Sequence, residues 1–550
     1  MTLRVVMRIT LILLNLAFAA ALITSLSSQP ILAIVFLLVA LGGAGLGIYA
    51  PAVERIDRLM RRRWMAFAPI VWFLLISVLV LLGNKRIDAP FVWSALLTWT
   101  ATIFFWMCAY WGIQCLRRTF RMDLRRRQDW RVLVFVTTVV CAFALLMPWI
   151  TVTRVVVPHR SHTPYWEAIL QRSNDAPGYF DYVAYFNPDA YAFVDNSGSF
   201  LVGWSGSPDV FLHRPTYFLF TAQLCRVLSV PFEGYASGSL ICADRNREMV
   251  AFWLVNLGMA YFSILAIYEL VRHYLDNARV ARTAALLSAL SGFTLYFFAI
   301  LATDYAELFI AIASLWMIHR LFLAPRASWS QIAAYGIIFG LLLLLKLNAA
   351  YLIFGILLAF ILLRPRLLAA FTLFPALVYT GYRVLMLLLS VPYTVTETGS
   401  QWKTVTWLLN EWLPQYGWFE KMRSLTLLSG QVLDKTAFLF GLLLFIGVFV
   451  MILNARFPRR IFAAGWLLFI AICAWMPIFF YSYIQHTVAL MPFIYGAVAL
   501  GAEDAAARIS QRIAKPELAR LATGLILMLP LLHNVILWVT WAPKDWINFG

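Results

Sequence analysis

The sequence predicts an all-α, polytopic membrane protein, and three observations carry that prediction. Hydrophobic residues make up 62% of the chain and charged residues only 13%, with a mean hydropathy of +0.79; a soluble domain of this length needs far more charge on its surface. Apolar runs near the ~20 residues needed to cross a bilayer recur along the whole chain. They lack the alternation and turn spacing of a barrel, and a backbone in lipid must satisfy its own hydrogen bonds, so helices are the economical reading.

The spans fall near 9–25, 30–50, 66–83, 91–115, 132–150, 249–270, 284–301, 304–322, 331–346, 349–363, 367–391, 436–454, 461–480, 486–502 and 521–541. The first follows Arg4 and Arg8 and has the look of a secretory signal. A second span follows after a few residues with no small-residue cleavage site between them, so the first reads as a retained helix. Five spans precede a long polar interruption, Thr151 to Glu248, and the remainder follow it. The expected division is therefore an N-terminal four-helix membrane extension over 1–130 and a core over 131–545. That core includes the outer loop 151–248 and a second outer loop over 391–435.

A net charge of +18 in a soluble protein would suggest nucleic acid. Here the basic residues sit in short connections, and none of this excess calls for a nucleic-acid partner. Arg55, Arg58 and Arg61 to Arg63 follow the second span, and Arg117, Arg118, Arg121 and Arg125 to Arg127 follow the fourth. Later clusters include Arg272, Arg279 and Arg282, then Arg320 and Arg326, Arg364 and Arg366, Arg456, Arg459 and Arg460, and finally Arg508, Arg512, Lys515 and Arg520. With the spans as given, all fall on one side. Positive charge is retained in the cytoplasm, which makes the N-terminus cytoplasmic and both long loops external.

Cys108, Cys115, Cys141 and Cys473 lie in or beside spans, where inert packing is the usual role. Cys225 and Cys242 fall in the outer loop, where they are either a disulfide or two free thiols. The same loop carries Tyr165, Trp166, Tyr179, Phe180, Tyr182, Tyr185 and Trp204, an aromatic belt suited to headgroup depth. Its stretch 215–230 is apolar but short and reads as a helix lying along the membrane surface.

Several segments occur in a characteristic order. Asp189-Ala190-Tyr191 is followed by His213-Arg214-Pro215-Thr216-Tyr217, then by Ala302-Thr303-Asp304-Tyr305-Ala306-Glu307-Leu308, then by GLLLLLKLN over 340–348, and finally by Gln485-His486-Thr487-Val488-Ala489-Leu490-Met491-Pro492. This series resembles the GT-C class of glycosyltransferases, such as protein mannosyltransferases and lipid A aminoarabinose transferases, which use polyprenyl-phosphate sugars. The resemblance covers about 130–545 and implies a GT-C-like multi-helix bundle with a large extracytoplasmic loop after the fifth helix. Two positions depart from the class pattern: its frequent Asp-Glu pair is Asp189-Ala190 here, and its late Arg-Tyr is His486-Thr487.

The resemblance implies an inverting sugar transfer in the bacterial inner membrane, with the active site facing the periplasm. The donor would be a polyprenyl-phosphate sugar, the acceptor a lipid, glycan or protein. Such a reaction needs a base for the acceptor hydroxyl and cations for the phosphate that leaves. Asp189 is the first choice of base and Asp181 the second, although Asn187-Pro188-Asp189 also reads as a turn. Arg214 is suited to phosphate by its planar fork. Lys346, ending a leucine-rich helix, must either snorkel to headgroups or find an anion. His213 and His486 could hydrogen-bond phosphate or sugar. Asp304 and Glu307, three apart, could hold the acceptor or a divalent cation; no Asp-x-Asp signature marks a metal site, and no cofactor is implied with certainty.

Two rival classes use similar features. A lipid-linked saccharide transporter or flippase places charge in broken helices at the bilayer midplane, whereas the charged candidates here sit at the outer ends of spans. A surface-polysaccharide polymerase or ligase would favour an arginine-rich outer loop, and Lys403 and Arg423 in the second loop are few.

Overall fold

A computed structural model describes residues 30–60, 245–275, 277–290, 305–323, 327–346, 368–388, 437–453 and 491–540, with scattered positions between 8 and 19, 65 and 110, 131 and 139, and 217 and 224. Among the described residues the regular structure is helical throughout, with no strand. The chain forms two compact units. One comprises Met1–Asp129, Tyr191–Val210 and Pro215–Leu254, the other Trp130–Ala190, Phe211–Arg214 and Val255–Gly550.

In the first unit, α1 (Pro30–Ile48) is apolar along its whole length, and α2 (Ala50–Met60) is amphipathic. The chain turns by 88° between them. Pro51 falls in the first turn of α2, where its missing N–H costs nothing. Arg8 secures the corner, donating through Nε to the Gly47 carbonyl at 3.2 Å and through Nη2 to the Ile48 carbonyl at 2.6 Å. Those are terminal carbonyls of α1 that lack helical partners, and a cation suits that end of the helix dipole.

The basic connection expected after the second span is thus itself a helix. Arg55 and Arg58 lie on its exposed face, while Val53 and Met60 pack with Met65, Trp106 and Tyr110. Asp57 lies on the inward face, 1% exposed, and accepts a 2.9 Å hydrogen bond from the Tyr110 hydroxyl. A carboxylate in an apolar cluster is costly without such a donor. The same unit holds four helical positions of the 215–230 stretch: Tyr217 and Thr221 are buried, and the Phe220 ring meets Phe104 edge-on, centroids 5.7 Å apart.

α3 (Arg245–Leu275), whose residues from Val255 onward belong to the second unit, contains the segment Leu254–Arg272, 19 residues long and apolar enough to cross a membrane. Near its end, Arg272 grips both carboxylate oxygens of Glu269 at 2.7 and 3.0 Å. Asn277 then caps α4 (Ala278–Ala289), its side-chain oxygen accepting from the N–H groups of Arg279 and Val280. The later helices are α5 (Tyr305–Leu323), α6 (Trp329–Leu343), α7 (Phe374–Leu388), α8 (Ala437–Leu453), α9 (Met491–Arg512) and α10 (Pro516–Thr540). α9 packs against α4, α8 and α10. Gly447 and Gly501 face each other there: a Cβ on Gly447 would strike the Ala497 backbone, and one on Gly501 the Leu443 backbone.

α9 runs to Arg512, past the expected span end at 502, because hydropathy marks what a bilayer tolerates and not where a helix stops. The alanine-rich continuation sustains the helix, and Asp504 pairs with Arg508 one turn on at 2.6 Å.

Candidate functional site

Capping decides where the described part of the site begins. Ser328 and Gln331 form a reciprocal capping box at the start of α6, each side chain bonded to the other's backbone N–H. α6 contacts α5, from which it is separated by the short segment 324–328. The two make a helical hairpin, so the beginning of α5, with Glu307, and the end of α6 both lie away from that connection.

α6 then packs on α7 at two glycines. A Cβ on Gly336 would lie 2.5 Å from the Ala370 carbonyl oxygen and 2.6 Å from the Phe374 Cβ; one on Gly340 would lie 2.8 Å from the Val378 Cβ and 3.0 Å from the Pro375 Cα. Four residues forward on α6 correspond to about four forward on α7, so the two helices run parallel. A π-helical turn, Ala369–Leu373, leads into α7. Pro375 explains it: a proline inside a helix removes one backbone donor and crowds the preceding turn, and a wider turn relieves both.

At the end of α6 the helix tightens. Leu345 N–H bonds to the Leu342 carbonyl at 3.0 Å and Lys346 N–H to the Leu343 carbonyl at 3.1 Å. Lys346 itself is enclosed, with 1% of its surface exposed. A buried ammonium demands electronegative company.

α7 adds a cation that the sequence reading passed over. The Arg383 guanidinium carbon sits 5.5 Å from the centre of the Tyr379 ring, one helical turn back, a cation–π distance. Both residues are half-buried, as is Tyr382, whereas Thr380, Gly381 and Val384 are exposed. The signal available in sequence was an arginine inside the span 367–391, which is a functional pointer by itself.

The other candidates are placed less fully. Glu307 is the third residue of α5. Asp181, Asp189, His213, Arg214, Asp304 and His486 lie outside the described residues, as do Cys225 and Cys242. Among the described residues, no group of three or more His, Cys, Asp or Glu could hold a metal ion.

Residues 240–394 match the family model of the dolichyl-phosphate-mannose-protein mannosyltransferases. The match is consistent with a GT-C-like membrane glycosyltransferase and points to a mannosyltransferase-type enzyme in general. It encloses α3 to α7, and with them Asp304, Glu307, Lys346 and Arg383; Asp181, Asp189, His213, Arg214 and His486 fall beyond it. No curated protein and no solved structure matches the chain.

Proposed function

We propose that this chain is an inverting glycosyltransferase of the cytoplasmic membrane that moves a sugar from a polyprenyl-phosphate donor to an acceptor on the extracytoplasmic face. The observation that carries the reading is the enclosed Lys346 at the end of the glycine-packed α6, inside the segment matched to mannosyltransferases. By the distribution of basic connections, that end of α6 faces away from the cytoplasm.

In the reaction, the acceptor hydroxyl attacks the anomeric carbon from the face opposite the phosphate. The carbon–oxygen bond to phosphate breaks, and polyprenyl phosphate leaves with the bonding pair. Asp189 takes the hydroxyl proton, with Asp181 the alternative base. Lys346 and Arg214 stabilise the charge gathering on the phosphate, and His213 and His486 hydrogen-bond phosphate or sugar. Asp304 and Glu307 orient the acceptor or hold a divalent cation. The loop over 391–435, with Trp402, Trp407, Trp412 and Trp418, covers the site. Donor lipid enters from the bilayer and acceptor from outside.

The test uses the full chain in vesicles with a panel of polyprenyl-phosphate sugars. Wild type is expected to release polyprenyl phosphate while forming a glycoside of inverted configuration, and Asp189→Asn to fold normally and transfer nothing. Full activity in that variant moves the base to Asp181. A wild-type protein that transfers no sugar from any lipid-phosphate donor overturns the reading.

A further inference from the structure

The two sides of α1 differ. Ala33, Ala40, Ala44 and Gly47 are buried, and the segment before α1 comes so close that a Cβ on Gly47 would lie 2.9 Å from the Ile12 Cγ1. Ile31, Ile34, Val35, Leu38 and Leu41 are exposed and recur at the spacing of a single helix face. A long exposed apolar stripe of this kind belongs in hydrocarbon. At about 1.5 Å per residue, the 19 residues of α1 cover about 28 Å, close to the ~30 Å thickness of the hydrocarbon layer. α1 therefore runs across the bilayer, and α2, turned 88° from it, lies close to the membrane plane.

The surface of α2 is divided into distinct strips. Val53, Asp57 and Met60 are buried, with Asp57 held by the Tyr110 hydroxyl. Helical spacing puts Arg55 and Arg58 on the opposite side, and both are exposed. The flanks between these two sides are unlike. One carries Ala52, Ile56 and the exposed Leu59, all apolar; the other carries Glu54, also exposed. A helix in the membrane plane with an apolar flank, a basic outer side and an acidic flank fits one arrangement: Leu59 beside acyl chains, the arginines at headgroup depth and Glu54 toward water. An arginine there keeps its stem in apolar surroundings while its guanidinium meets phosphate oxygens.

We propose that α2 docks on the anionic lipids of the cytoplasmic leaflet, holding headgroup phosphates on Arg55 and Arg58. The distribution of basic connections puts this end of α1 on the cytoplasmic side, where the leaflet surface is negative. Charge complementarity is strong, since Arg61, Arg62 and Arg63 follow α2 directly in sequence, and a basic cluster immediately after a spanning helix is the composition that selects acidic lipid. The Arg8 bonds at the corner and the Asp57–Tyr110 bond tie α2 to the N-terminal unit, so lipid held on its outer side steadies that unit. This gives the N-terminal extension a role that does not depend on which reaction the protein catalyses.

The experiment reconstitutes the full chain in vesicles of phosphatidylcholine and in vesicles of equal parts phosphatidylcholine and phosphatidylglycerol, and follows amide hydrogen exchange over 50–60. Wild type is expected to exchange about an order of magnitude more slowly there in the anionic vesicles, each arginine at such a surface contributing about fivefold. R55Q and R58Q should each lose about fivefold of that slowing and R55Q/R58Q nearly all of it, while α8 and α9 exchange alike in both vesicles. Equal wild-type exchange in the two compositions overturns the proposal. Undiminished slowing in R55Q/R58Q also overturns it and moves the lipid contact to Arg61–Arg63. Slowing by soluble polyglutamate and not by phosphatidylglycerol would make this a face for acidic protein, again overturning it. Should the variants fail to fold, wild type in molar sodium chloride carries the test: screening must remove the slowing, and slowing that survives the salt overturns the proposal.

Discussion

A Cβ on Gly336 would stand 2.5 Å from the carbonyl oxygen of Ala370, a backbone atom of the π-helical turn that precedes α7. Backbone cannot swing aside as a flexible side chain can. Gly336→Leu is accordingly expected to cost about 1–3 kcal/mol, the range for overpacking a close contact. Gly381, with nothing within 4 Å of a Cβ, is the control: Gly381→Ala should be neutral or slightly stabilising because alanine favours helix. Thermal unfolding in detergent compares the two, and equal melting points would remove the steric account.

The stretch 215–230 shares a compact unit with the N-terminal helices, and the Phe104–Phe220 edge contact at 5.7 Å is one of its attachments. An aromatic pair contributes about 0.5–1.5 kcal/mol beyond the area it buries. Phe104→Ala is expected to speed hydrogen exchange over 217–224 several-fold while α8 and α9 keep wild-type protection. Unchanged exchange at 217–224 would show that Phe104 does not hold this segment.

Glu503 sets a pH dependence at the far end of α9. Its Oε2 lies 3.8 Å from Arg279 Nη1 of α4, and its Oε1 is buried with no hydrogen-bond partner among the described residues. Burial pushes its carboxyl above the ordinary carboxylate range, with Arg279 and Arg282 opposing; on its own helix, Asp504 is occupied with Arg508. A folded-state pKa above the unfolded one means that the native state binds more protons, so stability falls as pH rises through that interval. The loss begins near the usual glutamate value of about 4.3 and ends at the raised one. Glu503→Gln is expected to abolish this slope, as read from melting temperature against pH. An identical slope in the variant would assign it to other groups.

The helical class was legible because hydropathy and the internal hydrogen bonding of a bilayer-crossing backbone act on each segment separately. The expected spans 30–50, 304–322, 331–346 and 436–454 correspond closely to α1, α5, α6 and α8. α2 was not legible, since its arginines suggested a connection; only the arrangement of Val53, Asp57 and Met60 against Trp106 and Tyr110 gives it an inside. Lys346 announced itself as a lone cation after leucines. Arg383 carried a signal too, as an arginine inside the expected span 367–391, but its stacking on Tyr379 is seen only in the structure.

By itself, the sequence determined what each stretch of about 20 residues could tolerate: apolar helix where lipid or packing demands it, basic residues in the connections, and an ordered set of motifs resembling lipid-phosphate glycosyltransferases. Those properties follow from local composition and from the order of residues along one chain. The tertiary structure alone decided that α6 and α7 run parallel in contact at Gly336 and Gly340, that Lys346 is enclosed, and that Arg383 stacks on Tyr379. Burial and register are relations between segments distant in sequence. They depend on which backbones can approach closely, and hydropathy, which scores one segment at a time, does not contain that information.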